Sequence, residues 1–304
     1  MGIQSVVIGL ADAKQTPQFQ KETFNQIYET GIAPQMQKLG YQSNFWYGGA
    51  ATWEGLESFV LSQGFSHFYS MGDLNSTKSS QNVWGIPDGT LFQGIENHFD
   101  DTTPSINVIM TTSNHAPYSI DYIAEGFPIE EVKKHLTPQQ RDNKRLIDQL
   151  GHYWYADREM AKFVAAMKKK YPDSLFVLTG DHGTRVNLEA SPSLQKKLCI
   201  PIVISGPGIS GKLFPENNIA SQLQIIPTII ELIAPKNFVY YSLMPSLTQK
   251  NEAATNSEYW LAGGSLGSRL DSNSPSTPER NKTWEEAILA YSWWRVMKGN
   301  LLSP

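Results

Sequence analysis

The sequence predicts an α/β fold in which a parallel or mixed sheet is covered by helices on both faces. Short apolar runs alternate with amphipathic helical stretches along most of the 304 residues, and this alternation is typical of such sheets. The clearest strand is residues 175–179, where five residues suited to a strand run directly into Gly180. A short apolar run that ends at a glycine predicts a buried strand of a parallel sheet.

The other predicted elements follow in order along the chain. The first helical stretch covers residues 21–39 and stops at Gly40, because glycine commonly ends helices. Residues 148–170 form the longest amphipathic stretch and predict a helix that covers one face of the sheet. The remaining predicted helices are residues 53–62, 88–98, 219–233 and 283–298, and the remaining predicted strands are residues 41–47, 65–69, 105–112 and 200–205.

A change of composition near residue 250 predicts two parts. Residues 1–250 carry the α/β pattern, and residues 251–304 form a C-terminal extension that ends in a helix. Within the extension, residues 264–282 are rich in Gly, Ser, Asn and Pro, a composition typical of loops.

Composition and charge exclude several classes of function. The formal charge is −4 and the longest basic run is Lys168–Lys170, so the chain lacks the basic surface of a nucleic-acid-binding protein. Its one cysteine, Cys199, excludes an intrachain disulfide and a multi-cysteine metal site. No apolar run is long enough to span a membrane. The first ten residues lack the basic start of a signal peptide.

Three predicted strands end in residues that bind ligands or metals in other proteins. Asp181 and His182 follow residues 175–179, His115 follows residues 105–112, and Trp53 lies shortly after residues 41–47. Carboxyl ends of parallel strands meet at one edge of a sheet, so these side chains are expected to share a pocket. The plainer alternatives are a polar turn with a surface histidine at 181–182 and a loop histidine bonded to backbone at 115.

The chemistry at these strand ends fits a metal-dependent phosphoryl or sulfuryl transfer in part. A carboxylate and an imidazole ligate divalent cations, and a second imidazole donates to an anionic oxygen. Two ligands are too few for a complete site, and a covalent route also needs a nucleophile. The sequence contains no G-x-S-x-G, G-x-x-x-x-G-K-[ST] or G-x-G-x-x-G motif, so it lacks the signatures of serine hydrolases, P-loop proteins and Rossmann folds. Arg185 follows closely after Asp181 and His182.

The run Phe176-Val-Leu-Thr-Gly-Asp-His-Gly resembles the metal-binding motif of the alkaline phosphatase-like superfamily, in its sulfatase branch. Further stretches resemble lipoteichoic acid synthases and related phosphoglycerol transferases. These stretches are residues 47–49, 84–92, 111–118, 155–158, 200–208 and 224–232. The resemblance covers residues 1–250 in a consistent order.

The resemblance implies a three-layer alkaline phosphatase-like fold with a central, mostly parallel sheet. It implies that Asp181 and His182 bind a divalent cation, Mn²⁺ or Zn²⁺. It also implies that His115 is a catalytic residue that contacts the phosphate or glycerol of the substrate, and that Trp53 lies in the substrate pocket. The family has an arginine two residues after this tryptophan, whereas this chain has Gly55.

The family begins this domain with a strand that ends in an acidic metal ligand, followed by a threonine nucleophile. Residues 2–10 resemble what comes just after that threonine, so both elements are expected upstream of Met1. The chain is therefore expected to be the downstream part of a metal-dependent phosphoglycerol transferase, or of a phosphoric or sulfuric ester hydrolase, and inactive alone. The resemblance implies that the parent enzyme acts on an anionic phospholipid or glycan at the extracytoplasmic face of a bacterial membrane. The alternative is a non-catalytic module that binds an anionic glycan or lipid head group.

Overall fold

The computed structural model describes residues 2–74, 82–99, 102–183, 188–189, 191–271, 277 and 280–299. The helices are α1 Gly2–Ile8, α2 Ile32–Lys38, α3 Leu56–Ser62, α4 Met71–Leu74, α5 Asp88–His98, α6 Ile129–Lys134, α7 Pro138–Arg141, α8 Lys144–Lys170, α9 Leu194–Leu198, α10 Ile225–Ile233 and α11 Lys282–Lys298. The strands are β1 Gln42–Tyr47, β2 His67–Tyr69, β3 Ser105–Met110, β4 Phe176–Thr179, β5 Ile202–Ser205, β6 Ala253–Thr255, β7 Tyr259–Ala262 and β8 Ser265–Ser268.

The central sheet has the order β2-β1-β3, and all its strands are parallel. Phe45 and Trp46 on β1 are both about 1% exposed, because successive side chains of a strand point to opposite faces and both faces are covered. Phe45 stacks on Phe68 of β2 at 5.4 Å between ring centroids, and Trp46 stacks on Tyr69 at 4.2 Å. The prediction of a mostly parallel central sheet is confirmed.

Each face of this sheet is covered by its own hydrophobic cluster. The cluster that contains Phe45 joins the sheet to α1, α2, α3 and α10, whose contributions include Ile8, Met36, Phe59 and Ile226. The cluster that contains Trp46 joins the other face to α5 and α8, whose contributions include Leu91, Phe92, Phe163 and Met167. Helices, sheet and helices therefore form the three layers that were expected.

The prediction that residues 175–179 form a buried strand of the parallel sheet is wrong. β4 pairs antiparallel with β5, its side chains are half-buried, and Thr179 is exposed. β3 and β4 nevertheless contact the same two clusters, since Val108 and Val177 reach the first and Ile109 and Phe176 reach the second. Among the strands of the described residues, none pairs with the second edge of either β3 or β4. The apolar run at residues 175–179 therefore predicted correctly that β4 lies between the two hydrophobic clusters. It did not predict the strand with which β4 pairs.

The helix predicted over residues 21–39 is interrupted. Lys21–Asn25 forms a 3₁₀ turn, and α2 begins only at Ile32. Pro34 explains the break, because a proline inside a helix would clash with the carbonyl group four residues earlier, which is that of Thr30. In the first turn of α2 the same proline is tolerated, since the amide groups there have no partner within the helix.

Residues 119–143 cross the surface as an excursion that α8 anchors. The Tyr122 hydroxyl donates to Asp148 at 2.8 Å, and Arg158 pairs with Glu125. His152, which is 1% exposed, accepts a hydrogen bond at Nε2 from the Ile120 amide at 3.0 Å. Its Nδ1 lies 2.8 Å from the Asp148 carbonyl oxygen. Burial lowers the pKa of His152 because it disfavours the charged ring, although the hydrogen bond with the Asp148 backbone opposes the effect. The neutral ring, with its hydrogen on Nδ1, satisfies both contacts.

The C-terminal residues add a small antiparallel sheet, β6-β7-β8, that the sequence did not predict. The Arg280 guanidinium lies over the Trp260 ring at 4.4 Å, and Glu285 pairs with Arg280 and Arg269. Val296 of α11 is fully buried in the cluster that contains Phe45. The division at residue 250 stays a prediction. In the described part of the chain, none of the helices has the length and apolar character that crossing a membrane requires.

We predict that His152 makes the stability of the fold pH-dependent. A histidine whose pKa is lowered by folding stabilises the native state above its unfolded value, near 6.5, and this contribution is lost as the pH falls below it. The loss is at most about 1.4 kcal/mol per pH unit for one group. Urea unfolding at pH 7.5 and 5.5 should show a smaller difference for His152→Gln, which accepts the same amide but does not titrate. Equal differences for both proteins would contradict the assignment.

Candidate functional site

The carboxyl ends of β1 and β3 are joined by residues 84–88, which cross them. The Ile86 amide donates to the Gly48 carbonyl oxygen at 2.9 Å, and the Thr112 hydroxyl donates to the Ile86 carbonyl oxygen at 2.9 Å. A Cβ atom on Gly85, whose φ is +145°, would lie 2.0 Å from that Gly48 oxygen. The close approach therefore requires a glycine, and it brings the two strand ends into one wall.

Asp88 fixes the loop that carries His115. It is 1% exposed, and its Oδ1 accepts hydrogen bonds from the amides of Thr112 at 3.1 Å and Ser113 at 3.0 Å. The Asp88 amide in turn donates to the Ser113 hydroxyl at 2.9 Å. Burial raises the pKa of Asp88, although these hydrogen bonds oppose the effect. Asp88 also begins α5, at the first residue of the helix predicted over residues 88–98.

His115 lies against Trp84, with 4.6 Å between the two ring centroids. The Trp84 indole donates to the Ala116 carbonyl oxygen at 2.5 Å, which holds both aromatic rings in place. A cavity of about 340 Å³ opens beside them. Its described lining comprises Trp84, His115, Ala116, Tyr118, Arg145 and Gln149.

Trp53 lies beside the end of β1. It begins a 3₁₀ turn, and its ring centroid is 5.8 Å from that of Tyr47, the last residue of β1. Burial raises the pKa of Tyr47 to about 12, so its hydroxyl is a hydrogen-bond donor at neutral pH. Gly55 has φ +68°, a conformation that an arginine adopts only with strain. The backbone here therefore suits the glycine that replaces the family's arginine.

Asp181 and His182 lie at the carboxyl end of β4. The Asp181 side chain is 61% exposed and that of His182 is 36% exposed. Asp181 Oδ2 is 3.3 Å from His182 Nε2, and Asp181 Oδ1 accepts the His182 amide at 2.8 Å. The Gln222 side chain donates to the Gly180 carbonyl oxygen at 2.7 Å. A Cβ on Gly2 would lie 3.2 Å from the Asp181 Cα, so the N-terminal end of α1 lies directly beside this pair.

The Asp181–His182 pair fits a shared divalent cation. Two ligands that are each about 2.1 Å from a tetrahedral cation are about 3.4 Å apart, and the observed separation is 3.3 Å. Within the described residues, no group of three or more His, Cys, Asp or Glu side chains could hold a metal ion. Arg185 lies outside the described residues.

The structure groups the predicted site residues into two places. His115 and Trp53 lie on the wall formed by the ends of β1 and β3, whereas Asp181 and His182 lie at the end of β4 beside α1. The sequence did not point to Arg145, Gln149 or Tyr118 as pocket residues. Arg145 and Gln149 are four residues apart on α8, which places them on one face of the helix. This spacing of four residues was the sequence signal that could have grouped Arg145 with Gln149, but many surface side chains on helices have the same spacing.

Comparison with known proteins decides the family. The sequence profile of the sulfatase family matches residues 11–234. The chain belongs to the sulfatase family. Three solved structures share the fold of this sulfatase-family chain.

The crystal structure of the lipoteichoic acid synthase LtaP from Listeria monocytogenes has a TM-score of 0.76 at 16% identity, over 97% of this chain and 79% of that one. A protein of the alkaline phosphatase superfamily from Vibrio parahaemolyticus has a TM-score of 0.70 at 19% identity, over 97% and 74%. The C-terminal periplasmic domain of EcEptC from Escherichia coli has a TM-score of 0.59 at 15% identity, over 90% and 75%. At these identities the likeness establishes the alkaline phosphatase-like fold.

We predict that Asp88 is needed for stability. Asp88→Ala leaves the buried amides of Thr112 and Ser113 without their acceptor, and each such loss costs about 1–3 kcal/mol. Urea unfolding should show a loss of about 2–4 kcal/mol for Asp88→Ala and a smaller loss for Asp88→Asn, which retains the accepting oxygen. The matched control is Asp173→Ala, at an exposed aspartate. Equal stability of Asp88→Ala and Asp173→Ala would contradict this role.

Proposed function

We propose that this sulfatase-family chain carries the catalytic region of a metal-dependent enzyme that transfers phosphoglycerol groups or hydrolyses phosphate or sulfate esters. The observation that carries the proposal is the 3.3 Å separation of the accessible Asp181 and His182 ligand atoms. Both side chains are accessible to a cation, and an oxygen and an imidazole nitrogen at this separation match two ligands of one divalent cation.

Each predicted site residue has a role in this proposal. Asp181 and His182 hold the divalent cation, Mn²⁺ or Zn²⁺, which supplies charge neutralisation at the phosphoryl oxygens when it is bound. His115, half-buried against Trp84, donates a hydrogen bond to an oxygen of the phosphate or glycerol. Trp53, which packs against Tyr47 at the end of β1, contacts the substrate from the side of β1.

The N-terminal end of α1 is the place for the nucleophile. It lies against Asp181, so a hydroxyl group positioned there would be next to the cation site. In the sulfatase resemblance a threonine occupies this place. Asp181 and His182 alone are a weak site, because structural and catalytic zinc sites in proteins have three or four protein ligands. We therefore propose that the chain by itself binds the cation weakly and turns over slowly.

The substrates and the compartment are proposed from the structural relatives. LtaP is a lipoteichoic acid synthase, the EptC structure is a periplasmic domain, and the same EptC domain is also known in complex with Zn. We propose that the substrate of this chain is likewise an anionic phospholipid or glycan of the cell envelope, and that the chain acts on the extracytoplasmic side.

A second candidate function is a binding module for an anionic glycan or lipid head group. The cavity beside His115 favours it, because its described lining includes Arg145 and does not include Asp181 or His182. Ligand binding that needs no metal ion would support this module, whereas binding that requires the metal ion would support the enzyme.

We predict that Asp181 and His182 form the cation site. Calorimetric titration of the chain with ZnCl₂ or MnCl₂ should show binding that weakens at least tenfold in Asp181→Ala and in His182→Ala, since each variant removes one of two ligands. Asp173→Ala removes an exposed carboxylate that precedes β4 and should bind like the wild type. Equal affinities in all four proteins would overturn the assignment.

We also predict slow turnover by the chain itself. With an aryl phosphodiester and MnCl₂, the purified protein should release little more aryl alcohol than a reaction without protein, because the described residues supply two ligands. Turnover that is rapid and is lost in Asp181→Ala would contradict the slow rate while supporting the enzyme. Rapid turnover that Asp181→Ala retains would contradict both the slow rate and the proposed metal-dependent enzyme.

A further inference from the structure

Arg145 is the cationic residue in the described lining of the cavity beside His115, and none of the described acidic residues pairs with it. It lies in the first turn of α8, is exposed, and lines the cavity with Trp84 and Gln149. Its neighbour Lys144 pairs with Asp148 at 2.6 Å, and Arg158 pairs with Glu125 and Glu159. No carboxylate of the described residues lies within 4.0 Å of the Arg145 guanidinium, so its five donors face the cavity or solvent.

The position of Arg145 in the helix is electrostatically unfavourable. The first turn of α8 contains Lys144 and Arg145 and no acidic residue, although the helix dipole favours acidic groups at this end. A bound anion near Arg145 would relieve this repulsion and would also form charge-assisted hydrogen bonds with the guanidinium. The charge distribution therefore favours an anionic ligand.

Gln149 and Tyr118 provide the polar groups for the rest of such a ligand. Gln149 is 7% exposed, and its Nε2 donates to the Tyr118 hydroxyl at 2.9 Å. In this arrangement Oε1 is an acceptor for which the described residues show no donor. The Tyr118 hydroxyl accepts from Gln149 and retains its own hydrogen to donate. An acceptor and a donor side by side suit a ligand that carries hydroxyl groups.

The aromatic rings complete the cavity. Trp84 and His115 form one wall, and Tyr118 lies beside them. Flat aromatic faces pack against the C–H groups of polyols and sugars. The volume of about 340 Å³ falls within the ordinary range of small-ligand sites, about 300–1,000 Å³.

We infer that this cavity binds a polyol phosphodiester, with a phosphate oxygen on Arg145 and a polyol hydroxyl between Gln149 and Tyr118. The inference rests on the proposed function for the substrate class, and it adds a second anionic contact to the one proposed for His115. Arg145 is thereby a specificity-determining residue that favours a phosphodiester chain or lipid head group over a neutral polyol.

The test is calorimetric titration of the whole chain with glycerophosphoglycerol in EDTA, so that no metal site contributes. Wild type should bind, and Arg145→Gln should bind at least tenfold more weakly, the size expected for a charge-assisted hydrogen bond. Arg145→Lys keeps the charge but loses the planar fork and should fall between them. The control Lys169→Gln removes a positive charge at the far end of the same helix and should bind like the wild type.

Two further measurements separate the possible sources of the phosphate. Sedimentation with phosphatidylglycerol vesicles, against phosphatidylcholine vesicles, tests a lipid head group, and glycerophosphoglycerol tests a soluble chain. Arg145-dependent binding to either probe supports the inference. Failure of both probes to depend on Arg145, with the variant folded by circular dichroism, overturns it. The zinc titration of Asp181→Ala is independent of this result, so the two proposals can fail separately.

Discussion

The wall of the candidate site depends on the buried carboxylate of Asp88. This one side chain accepts the amides of Thr112 and Ser113 shortly after β3, and the backbone amide of Asp88 donates to the Ser113 hydroxyl. A carboxylate in an apolar interior is costly, and hydrogen bonds to it offset part of that cost. The same hydrogen bonds fix the geometry of the loop before any ligand binds. His115 and Trp84 can then form a rigid wall, as preorganised sites require.

The same wall requires a residue without a side chain at position 85. A Cβ on Gly85 would lie 2.0 Å from the Gly48 carbonyl oxygen, so it would displace the backbone that directly follows β1. The layers beneath are set by β1, where Phe45 and Trp46 direct one ring into each hydrophobic cluster. The site is therefore held by a core strand on one side and by backbone contact on the other. Both constraints act on residues that do not themselves touch a ligand.

The sequence predicted what depends on local pattern and missed what depends on distant pairing. Helix α5 begins and ends at the predicted residues, since Pro87 and the apolar spacing after it mark the first turn. The interruption before α2 was also encoded, by Pro34, but helical periodicity across residues 21–39 concealed it. The pairing of β4 with β5 could not be predicted, because an apolar run specifies burial and not its partner. The family resemblance was confirmed by the sulfatase profile and by the fold.

The candidate site residues were likewise predictable where they are neighbours in sequence, and not where distant segments bring them together. Asp181 and His182 are neighbours in sequence, so one strand end revealed both. The cavity joins Trp84, His115 and Arg145 from three distant segments, and no local signal connects them. Arg145 could have been noticed for a different reason, since a basic first turn contradicts the preference of the helix dipole. Local rules are commonly broken at functional sites. A side chain that costs stability where it stands, and has no partner within the described fold, is best explained by a partner that binds from outside.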